Sequence, residues 1–100
     1  MGEGQQDRGL IRVLIADDHT LLRTGLRMLL EAEPDICVVG EAENGAAALE
    51  GARQSTPDVL LLDITMPEVG GLEVVRRIRE VSPTTRVLIL TMHDDEGYLR

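Results

Sequence analysis

Apolar residues along the chain fall into two alternating arrangements, short unbroken runs and stripes at helical spacing. The run Leu10-Ile11-Arg12-Val13-Leu14-Ile15-Ala16 predicts a buried strand that ends at Asp17-Asp18. Leu21, Leu22, Gly25, Leu26 and Leu29 then recur at helical spacing, with Arg23, Arg27 and Glu31 off the stripe, so a first helix that buries those leucines is expected. Pro34-Asp35 stops it. Ile36 to Ala42 predicts a second strand, broken by Gly40 and Glu41 as an edge strand would be. Asn44-Gly45 opens a short helix with Ala48, Leu49 and Ala52 on its buried side, and Thr56-Pro57 ends the link. Val59-Leu60-Leu61-Leu62 is a wholly apolar strand closed by Asp63.

A loop from Thr65 to Gly70 follows, and a third helix is expected from Gly71 to Glu80, burying Leu72, Val75 and Ile78 with Arg76, Arg77 and Arg79 outside. After the Ser82-Pro83 turn, Val87-Leu88-Ile89-Leu90 predicts a fourth strand ending at Thr91, and His93 to Arg100 has the pattern of the start of a fourth helix. Strands that alternate with helices and are apolar throughout belong to a parallel sheet covered on both faces. The right-handed crossover rule leaves few topologies. The expected fold is an α/β, flavodoxin-like doubly wound sheet of order 2-1-3-4, occupying residues 9–100 behind a disordered polar tail at 1–8. No G-x-G-x-x-G follows the first strand, which disfavours a dinucleotide site.

Composition narrows the function further. The formal net charge is −8, the wrong sign for a surface that neutralises DNA phosphates. Tyr98 is the one aromatic residue, so a base-stacking platform is excluded as well. A single cysteine, Cys37, permits no intrachain disulfide, and it reads as a small hydrophobe in the second strand. The N-terminus lacks the apolar core of a signal peptide, and no aliphatic run approaches the roughly 18 residues a membrane span needs. A cytoplasmic domain with no membrane contact is expected.

In an open parallel sheet, ligands bind beyond the carboxyl ends of the strands where the strand order reverses. In order 2-1-3 that point lies between the first and third strands, which end in Asp17-Asp18 and Asp63. Neighbouring strands run about 4.8 Å apart, so three carboxylates would share one small pocket. Close like charges repel unless a cation neutralises them, and a hard oxygen set of this kind suits Mg²⁺. A backbone carbonyl from the loop after Asp63 would complete the set. A carboxylate beside such a cation is equipped to attack phosphorus in line. One Asp at a strand end is more often a helix cap; three converging on the switch point favour chemistry.

The runs Val13-Leu14-Ile15-Ala16-Asp17-Asp18-His19 and Leu61-Leu62-Asp63-Ile64-Thr65-Met66-Pro67 are similar to the signature of response-regulator receiver domains. Val39 to Gly45 and Thr91-Met92-His93-Asp94-Asp95 resemble the NarL/FixJ (LuxR-type) branch. The resemblance covers residues 10 to 100. It implies that Asp63 accepts a phosphoryl group from a sensor histidine kinase. It also implies that Asp18 binds Mg²⁺ directly, Asp17 mostly through water, and Thr65 through its backbone carbonyl. Thr91 would be the switch residue that hydrogen-bonds the new phosphoryl group, and a C-terminal helix-turn-helix would carry DNA binding. Pro67 would set the loop geometry, and His93 would sit exposed at a helix start.

Two departures from that pattern stand out. Gly70-Gly71 replaces the usual Asp-Gly or Asn-Gly before the third helix, which costs only a few tenths of a kcal/mol at an N-cap. The chain also contains no Lys, where receivers carry one after a fifth strand. The fifth strand and last helix are likewise expected to be missing. A fragment of a longer regulator is therefore expected, with strand four as an exposed apolar edge, weak stability, impaired phosphoryl transfer, and pairing as a homodimer or swapped oligomer.

Two further functions stay open on the residues alone. A Mg²⁺-dependent phosphohydrolase with an Asp nucleophile would turn over a phosphate ester many times, but such enzymes use Asp-x-Asp after the first strand. A pure interaction domain would take up no phosphate at all.

Overall fold

The computed structural model describes residues 9–64, 66 and 70–90. Its elements are β1 (Ile11–Ala16), α1 (Thr20–Glu31), β2 (Ile36–Ala42), α2 (Gly45–Ser55), β3 (Val59–Asp63), α3 (Gly71–Val81) and β4 (Arg86–Leu90). The four strands form one sheet in the order β2-β1-β3-β4. Each pairing is parallel, with Ala16 beside both Ala42 and Leu62 and Asp63 beside Leu90. The expected topology is therefore the observed one. The expected tail, Thr65, Pro67, Thr91 and the start of a fourth helix at His93 to Arg100 lie outside the described residues.

Alternate side chains of the strands point to opposite faces, and two cores result. Leu14, Ala16, Leu60 and Leu62 pack with Ala48, Leu49 and Ala52 of α2 and with Val74 and Ile78 of α3. On the other face, Val13, Ile15, Val38 and Leu61 pack with Leu26 and Leu30 of α1. β1 and β3 lie inside the sheet with both faces covered, which explains the apolar runs Val13 to Ala16 and Val59 to Leu62.

Local chemistry sets the element ends. The Asn44 side chain accepts a hydrogen bond from the Ala47 N–H at 2.8 Å, capping α2 at its start. Thr56 closes the helix in the left-handed region at φ 40°, and Pro57 prevents its continuation. β2 carries a bulge, because Val13 pairs with Val38 while Leu14 pairs with Gly40. Gly40 sits tightly there: a Cβ would stand 3.2 Å from Leu14 Cδ1. At the opposite end of the sheet, the Arg12 guanidinium donates to the carbonyls of Ser55 and Thr56 and ties β1 to the end of α2.

Two expectations about helix faces are corrected. α1 contains no fully buried residue, and Leu21 and Leu29 are 86 % and 70 % exposed. Of the expected stripe Leu26 packs on the sheet, joined by Leu30 from outside it, while Leu21 and Leu29 stay exposed. In α3 the inward residues are Gly71, Val74 and Ile78, whereas Leu72 is 66 % exposed. The phase is that of the stripe Val74, Val75, Ile78 and Val81, and it leaves Gly71 packed against Ile64. β4 forms one edge of the sheet, with Leu88 and Ile89 exposed.

Candidate functional site: an acid pocket at the switch point

β1 and β3 end side by side, and the register that pairs Ala16 with Leu62 brings the following residues, Asp17 and Asp63, together. Both carboxylates are buried, at 1 % and 0 % exposure, while Asp18 faces outward with a side chain 30 % exposed. One ligand atom each from Asp17, Asp18, His19 and Asp63 can be chosen so that all lie within 4.8 Å of one another. The sheet thus delivers three acids to one point from two strand tips.

Asp17 is held from several directions. Its N–H donates to the Ala42 carbonyl at 2.9 Å, which extends the β1–β2 ladder by one residue. Its own carbonyl accepts from Arg23 Nη1 at 2.6 Å. Carboxylate oxygen Oδ1 accepts from the His19 N–H at 2.7 Å and lies 2.9 Å from His19 Nδ1. The other oxygen, Oδ2, is buried and has no hydrogen-bond partner among the described residues. Leaving a buried carboxylate oxygen unsatisfied is expensive, so this atom marks a place for an electropositive ligand.

His19 sits at the mouth of the pocket, half exposed, with Nδ1 at 3.1 Å from Asp18 Oδ1 and 3.7 Å from Asp63 Oδ2. Its imidazole is pushed above the ordinary value of 6.5, first by the hydrogen bond to Asp17 and then by the charge of Asp18. The acids therefore favour a cation here even when that cation is a side chain. Beside His19 an apolar hollow of about 590 Å³ opens along α1, lined by Leu21, Leu22, Gly25, Leu26 and Leu29. It contains no acid and belongs to the uncovered face of the helix, not to the pocket.

A divalent metal fits what is present. The donors are hard oxygens, their spacing matches one small ion, and the unsatisfied Oδ2 of Asp17 supplies the physical demand. Of the residues expected from the sequence, Asp17, Asp18 and Asp63 are brought together, whereas Thr65 and Thr91 lie outside the described residues. His19 was not expected among them. Its signal was available: a potential ligand immediately after two acids at a strand end falls at the same sheet edge.

Fold and pocket together define a receiver, the doubly wound α/β class whose strand tips gather acids at the switch point. A family model for the response regulator receiver domain matches residues 13–100, and the chain belongs to that family. It is 41 % identical over 95 residues to the transcriptional regulatory protein DegU of Brevibacillus brevis, covering 95 % of this chain and 40 % of that protein. It is 43 % identical over 84 residues to the nitrate/nitrite response regulator NarL of Escherichia coli K12, covering 84 % and 39 %. Among solved structures, the receiver domain of the putative response regulator NarL from Mycobacterium tuberculosis superposes with a TM-score of 0.80 at 42 % identity, covering 88 % of this chain and 71 % of that one. The chain spans about two fifths of the length of the curated relatives it matches. Receivers are signalling modules rather than conventional enzymes. No helix among the described residues is long and apolar enough to cross a membrane.

Proposed function

We propose that this domain is the phosphoacceptor of a two-component response regulator, with Asp63 as the acceptor. One observation carries the proposal: the buried Asp63 carboxylate shares a site of 4.8 Å span with Asp17 and Asp18 at the switch point of the sheet. Asp18, Asp17 and Asp63, with the backbone carbonyl of Thr65, would hold Mg²⁺. When bound, Mg²⁺ supplies positive charge against the developing phosphoryl oxygens.

The protein's own part is positioning. An Asp63 oxygen forms the new O–P bond as the N–P bond of a kinase phosphohistidine breaks, and the imidazole leaves with the bonding pair and takes up a proton. β3, locked between β1 and β4, fixes the direction of attack. The acyl phosphate adds about two negative charges and strong acceptor oxygens beside Leu90 on β4, and Thr91 is the residue that would turn to meet them.

The proposed partners are a sensor histidine kinase and, through an output domain, promoter DNA in the cytoplasm. The names of DegU and NarL as regulators support that placement. The exposed outer edge of β4, with Leu88 and Ile89, is where a second copy would pair.

The test uses the full 100-residue chain, a small acyl-phosphate donor and Mg²⁺, followed by intact-mass measurement. A gain of one phosphoryl group that disappears in Asp63→Asn is expected. No gain in the wild type, or one that survives the substitution, overturns the assignment.

A further inference from the structure

Arg23 of α1 reaches Asp17 through its backbone carbonyl and closes a ring of contacts around it. Its Nη1 donates to the Asp17 carbonyl at 2.6 Å, and its Nε donates to Glu41 Oε1 at 2.8 Å. Glu41 lies on β2 immediately before Ala42, whose carbonyl accepts the Asp17 N–H. The ring therefore runs from Asp17 through Arg23 and Glu41 to Ala42 and back. Arg27 Nη1 holds the second Glu41 oxygen at 2.7 Å, so the carboxylate is gripped on both sides. Arg23 is well covered, with a side chain 13 % exposed.

The charges of this group offset one another. Arg23 and Arg27 face Glu41 and Glu31, two of each sign. A neutral network contributes little long-range field to the acid pocket. Its direct hold on Asp17 is geometric: both backbone polar groups of the residue are tied, the N–H to β2 and the carbonyl to α1. With the backbone fixed and Oδ1 engaged by His19, the carboxylate presents Oδ2 in one direction.

We propose that Arg23 is a positioning residue for the cation site, and that Glu41 acts through it by holding the guanidinium against the Asp17 carbonyl. This rests on the pocket binding a divalent cation, as put forward above. Outer contacts that orient metal-binding groups change affinity by roughly 10- to 100-fold when removed. Lys at position 23 has one nitrogen and cannot serve Glu41 and the Asp17 carbonyl in the same fork geometry.

Titration of the full chain with Mg²⁺ alone, followed by calorimetry, tests the proposal alongside melts in chelator. Arg23→Ala is expected to weaken Mg²⁺ binding by about tenfold or more, with Arg23→Lys intermediate. Glu41→Gln is expected to weaken it in the same direction, and the double variant to bind no more weakly than Arg23→Ala. A residue that merely stabilised the fold would lower the melting temperature and leave the affinity of the folded protein unchanged. Wild-type affinity in folded Arg23→Ala overturns the proposal, and if that variant does not fold, wild-type affinity in Glu41→Gln does so. Failure of the wild type itself to bind Mg²⁺ overturns the cation site and this inference with it.

Discussion

Gly71 approaches Ile64 so closely that a Cβ on it would stand 2.4 Å from the Ile64 Cα and 3.0 Å from the Ile64 carbonyl oxygen. The first residue of α3 is thus packed directly on the backbone that follows Asp63. Glycine is needed for space, because even a methyl group would force two backbone segments apart.

Gly71→Ala is therefore expected to destabilise the domain by about 1–3 kcal/mol, the range for overpacking a close contact. Urea unfolding followed by circular dichroism measures it. Because the displaced segment begins at Ile64, the same substitution is expected to reduce phosphoryl uptake at Asp63 in the folded protein.

Two leucines that look alike in the sequence are expected to behave differently. Leu62 is fully buried between the helices and the sheet, whereas Leu21 is 86 % exposed on α1. Leu62→Ala is expected to cost about 2–5 kcal/mol, and Leu21→Ala to stay within about 0.5 kcal/mol of the wild type. Paired denaturation curves decide this; equal losses would mean that α1 is covered in solution.

Metal removal should act on stability as well as on chemistry. A ligand that binds only the folded state stabilises it by about 1.4 kcal/mol at roughly ten times its Kd. The thermal midpoint is expected to rise on adding Mg²⁺ and to fall back with chelator. In Asp17→Asn the rise should be strongly reduced, since the buried Oδ2 acquires a neutral group in its place.

The Glu41 carboxyl is held below its ordinary value of 4.5, first by the hydrogen bond from Arg27 and then by that from Arg23. A group lowered on folding contributes stability that is fully present above pH 4.5 and is lost as the pH falls through the folded-state value. The contribution is on the order of 1 kcal/mol or less, given how much solvent reaches these side chains. The difference in unfolding free energy between wild type and Glu41→Gln is expected to shrink as the pH is lowered from about 6 to below 4.5. A difference that does not change with pH would show that the ion pairs contribute nothing to folding.

Strand positions were legible because β1 and β3 are buried on both faces, which leaves an unbroken apolar run such as Leu60 to Leu62 with the acid at its end. The convergence of Asp17 and Asp63 then followed from topology alone. Helix faces were less so. A periodic stripe shows which residues share a side, but not whether anything covers that side, and Leu21 and Leu29 are exposed for that reason. In α3 the stripe of Val74, Val75, Ile78 and Val81 faces the core, and Leu72 falls outside it. His19 was overlooked for a related reason, since its role arises from distances to three acids rather than from any period.

The central place of β1 in the sheet also has a consequence for assembly during synthesis. Asp17 and Asp18 emerge from the ribosome early, followed by α1, β2 and α2, and Asp63 arrives only with β3. A nascent chain halted before that strand has Asp17, Asp18 and His19 but lacks Asp63. The cluster of Asp17, Asp18, His19 and Asp63 is thus complete only once both strand tips are in place.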